Sequence, residues 1–421
     1  MWVMKVGGGC LREAEGIRQL QVVLNEAYPD ANRLLVVSAL GKTTNNLLSM
    51  AEAAGHGDLQ RAREYYNRLK HFHEEIIRAL FPTPSVQALS KDLEEKYWIP
   101  LWQKVQALTH LPEEDGPATD AVLVYGELIS SQIVWNYLKQ QGYAIEWIDA
   151  RRLIVTDGSY PEPNVLMGPS QANIDAQLIP LFRSYPLVIT QGYIASDLRR
   201  RSVTLGREGS DYSAAIFAQM LRAKGMIAWK DVEGIYSADP RLSPEAQPLS
   251  QLSYEQAAEI THYGAQILHP RTLRPLQEAQ IPLYIRPYFN PTAEGSQITQ
   301  KPNETPPPIY AFRKGLTLIE VQTTDLTPIS INTLFQSIEG KGIEVFFIQA
   351  GMRTTALAVR GTQETIERWK ISIPSKWQAQ IYHPVTLHTI LYPSAEVKIP
   401  NGEAAYFQKL PNRLHWLAYG E

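Results

Sequence analysis

Residues 32–54 read NRLLVVSALGKTTNNLLSMAEAA: an apolar run, a polar turn and then a helical pattern. The amino terminus, MWVMKVGGG (1–9), follows the same plan, a short apolar run that reads as a buried strand turning sharply at three glycines. Further apolar strand candidates stand at AVLVY (121–125), AIEWIDA (144–150), PLVITQGYI (186–194), GMIAWKDV (225–232) and IPLYIRPYF (281–289), several with a helical pattern between them. Strands that alternate with helices build parallel βαβ units covered on both faces. The expected architecture is α/β, a three-layer αβα sandwich on a mainly parallel sheet. Between about 55 and 115 the chain is mostly helical, as in LQRAREYYNRLKHFHEEIIRAL (59–80), which reads as an excursion over one edge.

A boundary is expected near residue 305, within KPNETPPPIYAFRKG (301–315), because three consecutive prolines stiffen a connector. This assigns 1–304 to one domain and 305–421 to a second. Beyond the boundary, LTLIEVQ (316–322), GIEVFFIQA (342–350), TTALAVR (354–360), QAQIYHPV (378–385) and TLHTILY (386–392) read as short strands. Helices are expected at ISINTLFQSIEG (329–340) and TQETIERWKISI (362–373), giving a small βαββαβ-like α+β module with strands left over at the end.

Composition narrows the function classes. The 421 residues are 44% hydrophobic, enough for real cores. A net charge of −3 leaves no basic footprint for nucleic acid and no polybasic membrane patch. The single cysteine, Cys10, excludes an intramolecular disulfide framework and suits a reducing compartment. With no signal-like start and no apolar run of membrane-spanning length, a cytoplasmic protein is expected.

The stretch VTLGREGSDYSAAIFAQML (203–221) runs a glycine-rich turn into a helix. Free N–H groups and the dipole at such a helix start favour an anion. Arg207 adds a planar fork for a carboxylate or phosphate and Asp211 an acceptor for an ammonium group, a pair that suits an amino acid. Ser210 and Asp211 are equally ordinary N-cap residues, and the glycines ordinary turn formers. In MKVGGGC (4–10), Lys5 ends a strand while Gly7 and Gly8 let the backbone approach a bound group such as phosphate, without the order of a Walker loop. Thr44 stands in the turn before a helix, where hydroxyls also serve as caps. Glu127 follows a strand candidate, at the carboxyl-end position where open α/β sheets bind ligands; an acid there also answers the dipole of a helix start. WKDVEGIYSADPR (229–241) gathers Lys230, Asp231, Tyr236 and Arg241 in one irregular stretch, which a loop explains only in part. His71 and His73 in HFHEEII (71–77) lack metal-ligand spacing and read as a solvated helix face, so no metal cage is assigned.

Taken in order, MKVGGG, VVSALGKTTNNLL, YGELIS, IDARRLIVTD, ITQGYI, VTLGREGSDYSAA, WKDVEGIYSADPR and SYEQAAEITHYGAQILHP resemble the aspartate kinases of the amino-acid kinase family, over about 300 residues. From GLTLIEVQ onward the chain resembles the ACT-type regulatory region that follows the kinase domain in that family. The resemblance implies the amino-acid kinase fold followed by a ferredoxin-like, ACT-like domain whose second repeat is incomplete. It implies a kinase that moves the γ-phosphoryl group of MgATP to the side-chain carboxylate of L-aspartate, giving 4-phospho-L-aspartate at the head of lysine, threonine and methionine biosynthesis. By position it implies Lys5 and Asp211 as catalytic, Thr44, Glu127, Arg207 and Ser210 as substrate-binding, and Gly7, Gly8, Lys230, Asp231, Tyr236 and Arg241 as nucleotide-binding. Mg²⁺ would be held mainly through the nucleotide phosphates. An amino-acid effector and a homodimer or larger assembly through the ACT-like domains are also implied.

The chain departs from the family pattern at several positions. Gly9 and Cys10 stand where the first turn, usually K-F-G-G-T-S, carries two hydroxyl residues. Glu208 replaces a glycine of G-R-G-G-S-D, placing a negative charge beside an anion seat on a residue that resists positive φ. Gln266 stands where many relatives have lysine, while Lys230 stands where threonine is common. LTPISINTLF (326–335) lacks the glycines of an ACT effector turn. These departures keep two rivals open: a non-catalytic amino-acid-binding relative, and an amino-acid kinase acting on another acid such as glutamate.

Overall fold

Strand β1 (Trp2–Val6) is buried along its whole length between two parallel neighbours, which explains its nearly unbroken apolar character. The chain continues through α1 (Ala14–Glu26), β2 (Arg33–Val37), α2 (Thr43–Gly55), α3 (Leu59–Leu80), α4 (Thr83–Leu93), α5 (Ile99–Leu108), α6 (Gly116–Leu123) and α7 (Tyr125–Gln140). Next come β3 (Ile145–Trp147), β4 (Val155–Thr156), α8 (Met167–Asn173), β5 (Leu187–Gln191), β6 (Ile194–Asp197) and β7 (Ser202–Thr204). Then follow α9 (Gly209–Met220), β8 (Met226–Lys230), β9 (Gln251–Ser253), α10 (Tyr254–Tyr263), α11 (Pro270–Glu278), β10 (Leu283–Pro287) and β11 (Ser296–Thr299). The last stretch holds β12 (Ile309–Thr323), α12 (Ile331–Ile338), β13 (Glu344–Ala350), β14 (Thr354–Arg360), α13 (Gln363–Ser372), β15 (Trp377–Leu391), β16 (Ala404–Leu410) and β17 (Arg413–Tyr419).

This computed structural model describes residues 1–112, 115–241, 243–263, 268–302, 306–323, 329–393, 404–410 and 413–419. The chain divides into two compact units. The first comprises Met1–Ile235, Ser250–Tyr254 and Leu268–Pro302, and the second Tyr236–Leu249, Glu255–Ile267 and Asn303–Glu421.

In the first unit an eight-stranded sheet has the order β3-β5-β2-β1-β8-β10-β11-β9, parallel throughout except where β10 meets β11. The two-residue period of a strand sorts its side chains between the faces. Trp2, Met4 and Val6 of β1, and Ile227 and Trp229 of β8, join one core together with residues of α1 and α7. The alternate positions therefore face the other way, toward α9, which lies against β1, β2 and β8. Buried Ala214, Ala215 and Ala218 keep α9 slim enough to approach the sheet closely. The same alternation carries Lys5 and Lys230 onto the α9 face.

Two helical segments depart from expectation. AVLVY is not a strand: α6 ends at Leu123 and α7 begins at Tyr125, so the run belongs to two consecutive buried helices. A short apolar run fits a buried helix as well as a buried strand, and periodicity alone does not separate them. His73 is not on a solvated face either. It is buried on α3 against Phe72 and Trp98, with Nδ1 at 2.7 Å from the Leu69 carbonyl, and burial lowers its pKa to about 4. His71, two residues earlier, is exposed and pairs with Glu75 at 3.2 Å.

The second unit contains a six-stranded antiparallel sheet ordered β13-β14-β12-β15-β17-β16. Its first four strands with α12 and α13 form the ferredoxin-like βαββαβ arrangement, and the β16–β17 hairpin extends it beyond β15. QAQIYHPV and TLHTILY, expected as two strands, run on as the single strand β15. Trp369 of α13 is fully buried and donates through Nε1 to Ser337 Oγ of α12 at 3.0 Å, tying the helices together over Ile319, Val321, Leu357 and Val359. In the same unit Glu259 of α10 accepts from Arg413 and, at 2.7 Å, from the Tyr392 hydroxyl.

Candidate active site

Lys5 and Lys230 meet over one carboxylate. Val6 of β1 pairs with Trp229 of β8, so Lys5 and Lys230 stand two register positions apart on the same face, at the carboxyl edge of the sheet. The first turn of α9 brings Asp211 between them: one oxygen lies 2.9 Å from Lys5 Nζ and the other accepts from Lys230 Nζ at 2.7 Å. All three side chains are largely buried, at 7%, 3% and 17% exposure for Lys5, Asp211 and Lys230, so none is screened by bulk water. Burial opposes ionisation of Asp211, yet the ammonium groups of Lys230 and Lys5 outweigh it and hold the carboxyl at about 2. Burial would lower Lys230, but Asp211 raises it above the ordinary lysine value. Burial, aided by repulsion from Lys230, brings Lys5 below that value in spite of Asp211. Two cations sharing one anion leave a net positive charge at the sheet edge, which is the electrostatics of an anion seat.

Glycines let the turns close around this cluster. A Cβ on Gly8 would stand 2.5 Å from the Ala39 carbonyl oxygen, so only glycine lets the β1 turn lie against the β2 turn. A Cβ on Gly7 would lie 3.6 Å from Lys5 Nζ, so this residue borders the ammonium without crowding it. Gly192, after β5, would place a Cβ 2.6 Å from that of Ser210, which sets how closely α9 can start. Neither the quoted ITQGYI motif nor its spacing singled out Gly192 as the neighbour of Ser210.

Glu127, in the first turn of α7, is buried at 2% exposure and accepts from the Ala39 N–H at 3.3 Å through Oε1. Its other oxygen, Oε2, is buried without a hydrogen-bond partner. Burial pushes its pKa up to about 8, only partly offset by backbone donors. Such a carboxyl suits an incoming ammonium group, which would supply the missing donor and charge. On α2, Thr43 spends its hydroxyl on the Leu40 carbonyl at 2.6 Å, whereas Thr44 beside it is half-buried.

The other expected residues fall less centrally. Arg207 is exposed and makes no hydrogen bond or ion pair with the described residues. Glu208 adopts φ 53°, so the chain takes the left-handed conformation here despite the loss of glycine. A Cβ on Gly9 would stand 3.0 Å from Asp231 Oδ2, so the missing hydroxyl residue leaves room for that carboxylate. Cys10 is buried, with its thiol directed at the Trp229 carbonyl, and burial raises its pKa to about 12, which makes it inert. Tyr236 and Arg241 belong to the second unit, where Arg241 is exposed and paired with Asp239 at 2.7 Å. Gln266 lies outside the described residues.

Sequence reasoning also missed the braces. Asp120 of α6 is buried and accepts from the Thr204 N–H and hydroxyl at 2.8 and 2.7 Å; burial raises its pKa to about 6 despite those bonds. Arg271 of α11 donates to the carbonyls of Leu205 and Pro163 and lies 4.7 Å over the Tyr212 ring, holding the turn before α9. Neither residue carries a local motif, because each acts on a segment far away in sequence. A cavity of about 650 Å³ opens between α4, α7 and β3, lined by Phe81, Trp135 and Trp147 among others, and includes none of the expected site residues.

A mainly parallel sheet with buried lysines at its carboxyl edge, facing a glycine turn and a helix start, defines an α/β protein with a seat suited to an anion such as phosphate. The family model for the amino acid kinase family matches residues 1–287, and the chain belongs to that family. Its curated relatives include lysine-sensitive aspartokinase 3 of Escherichia coli (strain K12), 31% identical over 331 residues, which make up 77% of this chain and 70% of that one. The bifunctional aspartokinase/homoserine dehydrogenase 1 of Zea mays, named as chloroplastic, is 30% identical over 363 residues. That match takes in 83% of this chain and 38% of the maize protein, so the chain spans well under half the length of such bifunctional relatives. The fold is shared with E. coli aspartokinase III solved with aspartate and ADP, at a TM-score of 0.84 and 23% identity over 100% of this chain and 96% of that one. It is shared as well with Clostridium acetobutylicum aspartate kinase, at a TM-score of 0.74 and 18% identity over 99% and 96%.

Proposed function

We propose that the chain is an aspartate kinase, transferring the γ-phosphoryl group of ATP to the side-chain carboxylate of L-aspartate to give 4-phospho-L-aspartate. The observation that carries this reading is the Lys5–Asp211–Lys230 cluster beside a buried Glu127 with one carboxyl oxygen unpartnered. A phosphate seat and an ammonium seat on one sheet edge are what joining a nucleotide to an amino acid requires. The names of the aspartokinase relatives, and of the E. coli structure holding aspartate and ADP, support the same substrates.

An aspartate side chain, with an ordinary pKa of about 3.9, is already ionised at neutral pH, so the nucleophile needs no general base. The work left is to align two anions and to neutralise charge on a loose phosphoryl transition state. Lys5 and Lys230 would supply that charge, with Asp211 fixing both ammonium groups and the Gly7–Gly8 turn offering backbone donors. Glu127 and Thr44 would hold the amino group, and Ser210 and Arg207 the α-carboxylate, Arg207 turning in from solvent. Asp231 would serve the nucleotide. Mg²⁺ would be carried by the nucleotide phosphates and add to their neutralisation. The ferredoxin-like unit would act as an ACT-like regulatory domain, 305–421 in the chain, binding an amino-acid effector and pairing subunits. The reading places the enzyme in the cytoplasm, in keeping with its one buried cysteine. Among the described residues no helix is long and apolar enough to cross a membrane.

The test is ADP release by the full chain with MgATP and either aspartate or glutamate, at varied lysine and threonine. Turnover on aspartate above glutamate is expected. Preference for glutamate, or binding of aspartate with no turnover on either acid, would replace this reading with one of the two rivals.

A further inference from the structure

Asp120 is a buried acid that the proposed reaction leaves unused. At 3% exposure on α6, it takes its side-chain bonds from one uncharged residue: Oδ2 accepts from the Thr204 N–H at 2.8 Å and Oδ1 from the Thr204 hydroxyl at 2.7 Å. A carboxylate buried against neutral donors costs stability that an apolar side chain in its place would not. The segments it joins account for that cost. On one side, α6 runs into α7 through Val124, which is helical; its N–H donates to the Asp120 carbonyl at 3.2 Å and its carbonyl accepts from the Leu128 N–H at 3.2 Å. A bonded helical path thus leads from Asp120 to Glu127, the seat for the ammonium group. On the other side, Thr204 ends β7, and the turn after it leads directly to Arg207, Ser210 and Asp211. That turn is tight, with the Gly209 N–H returning to the Gly206 carbonyl at 3.0 Å, so a displacement of Thr204 is carried to Ser210 rather than absorbed by slack chain.

We propose that Asp120 is a positioning residue for the amino-acid seat: by fastening β7 to the α6–α7 run, it fixes the separation between the ammonium site at Glu127 and the carboxylate site at Arg207 and Ser210. The inference rests on the kinase reading of the site. Asp120 touches no reacting atom and acts through Thr204. Sites that recognise two ends of one small molecule bind it well only while their spacing is held to a fraction of an ångström, and buried hydrogen bonds of this kind supply that hold. Lys5 and Lys230 stand on β1 and β8, which the Asp120–Thr204 pair does not join, so nucleotide binding depends on it far less.

The test compares the full chain with three variants: Asp120→Asn, which keeps the volume but offers one acceptor oxygen in place of two; Thr204→Val, which removes only the hydroxyl; and Thr204→Ser, which retains it. KM for aspartate and KM for MgATP are measured for each. Asp120→Asn and Thr204→Val are expected to raise KM for aspartate about tenfold and KM for MgATP less than about twofold. Thr204→Ser should stay within about twofold of the wild type on both. In a Glu127→Gln background the ammonium site is already disabled, so adding either Asp120→Asn or Thr204→Val should raise KM for aspartate by less than about twofold. Should Asp120→Asn fail to fold, Thr204→Val carries the same comparison. An unchanged KM for aspartate, an equal rise in both KM values, or a full tenfold effect persisting in the Glu127→Gln background would overturn the inference while leaving wild-type turnover on aspartate intact. A folded wild-type chain that releases no ADP with aspartate would instead remove the kinase reading, and this inference with it.

Discussion

Asp211 and Glu127 are both buried acids, and their surroundings drive their pKa values apart. Two lysines hold Asp211 at about 2, below its ordinary 3.8, so its contribution to stability is present above about pH 4 and is lost as pH falls toward 2. Asp211→Asn leaves two buried ammonium groups without their counter-ion and should cost about 3–5 kcal/mol at pH 7. Denaturant unfolding should show that gap shrinking between pH 4 and 2; a gap that is constant across this window would dismiss the ion-pair account. Glu127 is raised to about 8, so near neutral pH an ammonium-bearing substrate must expel a proton from it. KM for aspartate should therefore fall as pH rises toward 8, by at most about tenfold per unit, and Glu127→Gln should flatten the profile. A wild-type KM that does not respond to pH in this range would take Glu127 out of the ammonium seat. The sequence offered the identities of both acids. The lysines around one and the dry wall around the other come from strands and helices distant in the chain.

At the scale of elements, the site depends on how closely α9 can start against the sheet. Gly192 and Ser210 are in near contact, and a Cβ at 192 would sit 2.6 Å from that of Ser210 and 2.7 Å from its Cα. Gly192→Ala must push the helix start outward or twist the turn after β5, at a cost of about 1–3 kcal/mol, and must shift Asp211 relative to Lys5. A lowered melting temperature together with a reduced kcat/KM is the expected result; full activity would show that the turn yields without moving α9. Strand assignments from apolar runs succeeded where a turn followed at once, as at β1, β2 and β8. The run at 121–125 misled because buried helices and buried strands are both apolar on all sides. His73 misled in a different way: a polar residue on an amphipathic helix was assigned to water, but the aromatic wall of Trp98 encloses it.

For the whole molecule, the second unit takes in residues 236–249 and 255–267, well before the proline-rich stretch. Within that unit α10 is held by Arg413 and Tyr392 on Glu259 and by Arg313 on the Thr261 and His262 carbonyls. A chain ending at residue 304 would strip these partners from α10. Limited proteolysis should cut the shortened chain between 236 and 267 much faster than the full one, and equal protection would show that α10 needs no support from the carboxyl-terminal sheet. The alternation of apolar runs, glycine turns and helical patterns was enough to set the α/β class and the ferredoxin-like module, because backbone preference and burial periodicity are local properties. Only the tertiary structure decided that Asp211 joins two lysines, that Glu127 keeps one oxygen bare, and that α10 is gripped by the carboxyl-terminal sheet. Each of these depends on strand register and helix approach across scores of residues, where charge and desolvation act through space and leave no trace in local spacing.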